Sequence, residues 1–141
     1  MEDREIRITE PPEIRELDGV PELYGHAAVF NTWSENLGGF KERILPGFFS
    51  DVLGDDVRAR WQHKPEFVLG RSTNGTMQMW EDEVGLAYRI VPPDTQWARD
   101  AMVSVRRRDV TQMSIAFAVK EQVLEPRQQD GLARRTLVKA K

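Results

Sequence analysis

Apolar and polar residues alternate along most of this chain, and the period of two predicts strands far more often than helices. In the segment running to Val119, Met113, Ile115, Phe117 and Val119 form one bulky face, while Gln112, Ser114, Ala116 and Ala118 form a small or polar one. That strand is expected to continue to about Leu124. "LYGHAAVFN" (23–31) reads as a buried strand, followed by the turn-rich loop "TWSENLGG". "VRARWQH" sets Val57, Ala59, Trp61 and His63 against Arg58, Arg60 and Gln62, and Lys64-Pro65 stops it because proline cannot continue a ladder. "TMQMWED" and "GLAYRIV" read as a hairpin around Gly85, and "LARRTLVKA" as a last strand. Two stretches break the period: "FFSDVLGDD" predicts a short helix closed near Gly54, and "TQWARDAMVSVRRR" a long one. Asp94 is the expected N-cap of the long helix, and Trp97, Ala98, Ala101, Met102 and Val105 its apolar stripe. The fold class expected is mainly β with peripheral helices (α+β): a small β-barrel with one long helix and a short one.

With 141 residues, 40% hydrophobic and 30% charged, the chain is expected to form a single domain over 1–141. No apolar run approaches the roughly 20 residues of a membrane helix, and the charged start from Glu2 is unlike a secretory signal. The absence of cysteine removes disulfides, thiolate metal sites and cysteine nucleophiles together, so an intracellular protein is the simplest expectation. A net charge of −3 does not announce nucleic acid. Residues 1–22 nevertheless form an acidic N-terminal segment, with eight acids against Arg4, Arg7 and Arg15, and residues 127–141 are basic. These segments are expected to pair or to stay solvated. Arg106, Arg107 and Arg108 fall in the last helical turn, where cations complement the helix dipole.

Only two histidines exist. His26 lies inside a buried-looking strand and reads as a hydrogen-bonded structural residue. His63 ends a strand and is released into a loop. With Glu66 it supplies too few ligands for zinc, and no metal-binding spacing appears, so no metal or other cofactor is expected. Ser114 with His63 is the remaining pair able to do difficult chemistry. A serine hydroxyl becomes a nucleophile when an imidazole accepts its proton, and the small Ala116 and Ala118 would leave room for an extended peptide. No GxSxG elbow is present.

"LYGHAAVFN" (23–31), "FKERILPGFF" (40–49), "VRARWQHKPEFVLGR" (57–71), "GTMQMWEDEVGLAYRI" (75–90), "PDTQWARD" (93–100) and "RRDVTQMSIAF" (107–117) together resemble the tailed-phage prohead protease family. These capsid-maturation serine proteases are similar to herpesvirus assemblin. The resemblance implies an assemblin-like barrel, His63 as general base and Ser114 as nucleophile. Gln62-His63-Lys64 stands where family members usually carry asparagine, histidine and aspartate, and Ala116 where a glycine is common. A third catalytic member is expected on a strand beyond Lys141, which implies a domain cut short at its C-terminus. The acids after Ser114 are Glu121, Glu125 and Asp130, none of which matches the family's motif.

Two functions stay open at this point. One is a serine endopeptidase that cleaves scaffold protein and major capsid protein precursors inside the assembling prohead, in the bacterial host cytoplasm. The other is a non-catalytic capsid-assembly or scaffold-binding module that retains the protease fold. Assemblin-like proteases can dimerise, so the partners implied also include a second copy, with neither nucleic acid nor membrane among them.

Overall fold

The computed structural model describes residues 4–64, 66–110 and 113–141; of His63 and Met113 it describes the backbone. The described elements run β1 (Glu5–Thr9), β2 (Glu13–Leu17), β3 (Val20–Val29), β4 (Phe40–Ile44), β5 (Arg58–Arg60), a 3-10 turn (Trp61–His63), β6 (Val68–Arg71), a second 3-10 turn (Ser72–Asn74), β7 (Met77–Glu81), β8 (Gly85–Ile90), α1 (Gln96–Arg106), β9 (Met113–Phe117), β10 (Val119–Glu125) and β11 (Ala133–Ala140). The class is mainly β, as the alternation predicts.

The strands do not close into a barrel. Among the described residues they form four sheets: β2-β3-β8-β7, β10-β11-β4, and the pairs β1-β9 and β5-β6. All pairings are antiparallel except that of β11 with β4. The core lies where their inner faces meet, with Leu23, Ile44, Phe48, Phe49, Met77, Tyr88, Ile90, Phe117 and Leu137 in one buried cluster.

The short helix expected over 48–56 is instead a run of turns. Phe48 N–H donates to Leu45 O, Ser50 to Gly47 O and Val52 to Phe49 O, each a three-residue step. A helix would need the Phe48 carbonyl for residue 52, but that carbonyl accepts from Ala140 N–H at 2.9 Å. Burial of the adjacent Phe48 and Phe49 rings, 4.8 Å apart edge to face, holds the turns in place. The strand expected from 113 to 124 is broken at Ala118. Phe117 and Ala118 are consecutive buried residues, which a period of two forbids, so the chain leaves the β1 sheet and joins β11. The strand expected to reach His63 ends at Arg60, and the N-cap of α1 is Thr95, whose Oγ1 accepts from Ala98 N–H. Asp94 pairs with Arg99 instead. The acidic N-terminal segment supplies β1 and β2, the latter joined to β3 through Asp18-Gly19, both at positive φ in a two-residue turn.

Hairpin β7-β8 packs closely against β3. A Cβ placed on Gly85 would stand 1.8 Å from the Ala28 carbonyl oxygen, and that oxygen belongs to backbone that cannot step aside. Gly85→Ala is therefore expected to cost about 1–3 kcal/mol or more, as overpacking does. A denaturant midpoint unchanged from wild type would refute that tightness.

Candidate active site

Ser114 lies on β9, directly opposite Ile8 of β1, and Ala116 lies opposite Ile6. Residues paired across an antiparallel ladder point to the same side. Ser114, Ala116, Ile6 and Ile8 thus share one face of this two-stranded sheet, and the last three are exposed. The other face carries Ile115 and Phe117 inward, with Phe117 against Phe48 at 5.4 Å and Phe49 at 6.3 Å. The two-residue alternation that marked Ser114 in the sequence is what turns it away from this packing.

His63 is the last residue of the 3-10 turn after β5. Its side chain lies outside the described part of the structure, and with it the Ser114–His63 distance. Its backbone is held by a closed loop: Trp61 N–H donates to Phe67 O at 2.9 Å, Lys64 N–H to Trp61 O at 3.1 Å and Phe67 N–H to Lys64 O at 3.0 Å. The Phe67 ring stacks at 5.0 Å on Trp97, near the start of α1. That helix leads in turn toward β9, so one helix braces the histidine loop at one end and precedes the serine strand at the other.

Four described residues other than glycine have positive φ: Asp18, Asn31, Gln62 and Arg108. Aspartate and asparagine visit this region readily, whereas glutamine and arginine have no such preference. Gln62 immediately precedes His63. Arg108 occupies the left-handed position of a Schellman turn, where Arg108 N–H donates to Val105 O and Asp109 N–H to Ser104 O, just ahead of the Ser114 segment. Of these two, only Gln62 has no local reason for this conformation; it adjoins the candidate His63, and stored strain concentrates at working sites. Gln62→Gly is expected to stabilise the fold by up to about 1 kcal/mol by relieving the strain, while lowering activity through a less constrained His63. Greater stability with undiminished activity would separate the strain from the site.

β1 is held from below by charges. Arg7 donates from Nε and Nη2 to the two oxygens of Glu42, each at 2.8 Å, and Glu42 is only 4% exposed. Arg135 of β11 forks onto Glu5 at 2.6 and 2.7 Å and reaches Glu42 at 3.3 Å. Hydrogen bonds from Arg135 hold the Glu5 carboxyl below its ordinary range, with burial opposing them. The opposite charges of the two chain ends thus pair across the strand that borders Ser114.

His26 is structural, as its place within β3 suggests. Its Nε2 lies 2.7 Å from Asp82 Oδ2, while Asp82 Oδ1 accepts from Val84 and Gly85 N–H at 2.9 Å each. The hydrogen bond from Gly85, then that from His26, hold Asp82 below the usual carboxylate range. Of the later acids, Glu121 and Glu125 are exposed on β10, and Asp130 is paired with Arg134 at 2.8 Å. Sequence reasoning missed Gln62, the Phe67–Trp97 brace and the isoleucines of β1. Only the last had a signal, the alternation in "EIRIT".

No curated protein and no solved structure matches the chain. A family model for the Caudovirus prohead serine protease matches residues 10–141, which include β2 through β11, the His63 loop and the Ser114 strand. Because that match spans nearly the whole chain, with both candidate residues inside it, the protein belongs to the Caudovirus prohead serine protease family.

Proposed function

We propose that the protein is a serine endopeptidase that cleaves scaffold protein, major capsid protein precursors, or both, within the assembling prohead, with Ser114 as nucleophile and His63 as general base. The observation that carries this reading is the position of Ser114 on the open face of β9 in a chain that matches the family over residues 10–141. Ser114 Oγ attacks the scissile carbonyl carbon as His63 accepts the hydroxyl proton. The C–N bond then breaks as His63 passes that proton to the leaving amine. Water, deprotonated by the same imidazole, releases the acyl group and restores the serine. Backbone N–H groups near the carbonyl would stabilise the developing oxyanion.

The test is co-expression with the cognate capsid and scaffold precursors, read by gel and mass spectrometry, together with labelling by a fluorophosphonate probe. Processed precursors and a label on Ser114 are expected. Intact precursors with no label on Ser114 would instead favour a non-catalytic assembly module.

A further inference from the structure

The open face of the β1-β9 sheet holds more than the serine. Ile6 and Ile8 are each 65% exposed, an unusual degree for two isoleucines on one strand face. Their strand partners are Ala116 and Ser114. Directly opposed Cβ atoms lie about 4.5–5.5 Å apart, so Ile8 borders Ser114 as its ladder partner. The polar residues of β1 are turned the other way and occupied: Glu5 with Arg135, and Arg7 with Glu42. Because these ion pairs anchor the strand from below, the isoleucines form a fixed wall. The wall precedes the matched residues 10–141 and is added to the face by the N-terminal segment.

We propose that Ile6 and Ile8 are a specificity wall, which receives a large apolar side chain of the substrate within two residues of the scissile bond. The inference rests on Ser114 being the nucleophile. A peptide whose carbonyl reaches Ser114 Oγ must cross this face, and its neighbouring side chain meets Ile8. The two isoleucines then lose water only when that side chain is apolar, which favours such substrates. A hydrophobic contact of this size discriminates by roughly 10-fold or somewhat more.

The probe is a proteome-derived peptide library, with cleavage sites read by mass spectrometry, while fluorophosphonate labelling reports on the nucleophile without any peptide. Wild-type protein should prefer an apolar residue at one fixed position near the cut. Ile8→Thr keeps the β-branched shape that suits a strand, and it should lower the ratio of apolar to other sites roughly 10-fold while Ser114 still takes the label. Ile6→Thr, one pair further from the serine, should have a smaller effect in the same direction, and it serves as the test if Ile8→Thr loses the fold. Labelled Ser114 with an unmoved preference overturns the wall and leaves the protease reading standing. An unlabelled Ser114 in wild type overturns both. A dimer that Ile8→Thr dissociates without altering the cleavage profile assigns the face to a second copy, and also overturns the wall.

Discussion

If Ser114 is the nucleophile as proposed, Ser114→Ala is expected to abolish processing of the precursor while leaving the fold intact, the largest effect expected of any single change in the protein. Removal of the nucleophile in subtilisin lowers kcat about 10⁶-fold, and a loss of that order leaves nothing visible on a gel. The packing face of β9 is carried by Ile115 and Phe117, and the serine lies on the other face. The stability change should therefore stay within about 1 kcal/mol, a deletion of one hydroxyl outside the core. Melting curves and precursor cleavage, measured on one preparation, separate the two effects. Processing at the wild-type rate by Ser114→Ala would move the nucleophile elsewhere and end the reading. Unfolding of the variant would mean that Ser114 is structural.

The second large effect concerns stability. Glu42 is the most buried member of the cluster that joins β1, β4 and β11 and accepts from both Arg7 and Arg135. Glu42→Gln keeps the shape but removes the charge, leaving two guanidinium groups with Glu5 as their remaining acid. Breaking a buried pair from one side costs about 3–5 kcal/mol, and the partial exposure of the arginines places the expected loss near the low end, about 3 kcal/mol. The double variant Arg7→Met/Glu42→Leu removes both charges, and it should recover much of that loss. A single variant within about 0.5 kcal/mol of wild type would show the cluster to be no more than a surface pairing. Acid should act on the same cluster. Glu5 titrates lower in the folded state than its unfolded value of about 4.3, so its contribution is complete above that pH. It is lost as the pH falls through the lower folded value, and Arg135→Met should flatten this part of the acid melting profile.

The elements legible in the sequence were those whose pattern is local. α1 showed its stripe of Ala98, Ala101, Met102 and Val105, and the β7-β8 hairpin its paired alternation around Gly85; both stand within a residue or two of their expected ends. The serine strand was legible for the same reason. What the pattern did not disclose depends on partners distant in the chain. The Phe48 carbonyl is drawn off by Ala140, 92 residues away (140 − 48), and no window over 48–56 contains that fact. "EIRIT" and "EIREL" alternate plainly, and the opposite charges of the two end segments allowed for pairing or solvation, but the particular partners of β1, Arg135 and Glu42, lie far along the chain and no local window names them. The left-handed turn at Gln62 has no local signature at all, since glutamine does not ask for it. His63 was legible as a residue type in a loop, and its turn was not.

The pairing of Glu5 with Arg135 also sets an order of events during synthesis. The two are 130 residues apart (135 − 5), and at roughly 5–20 residues per second the arginine follows the glutamate by on the order of ten seconds. Until then β1 lacks one of its two arginine anchors, and β9, its ladder partner, also arrives late. Long-range closures of this kind come after local hairpins and helices. The face that Ile6 and Ile8 share with Ser114 is thus late to form, and a growing chain holds it unassembled until β9 and Arg135 have both been made.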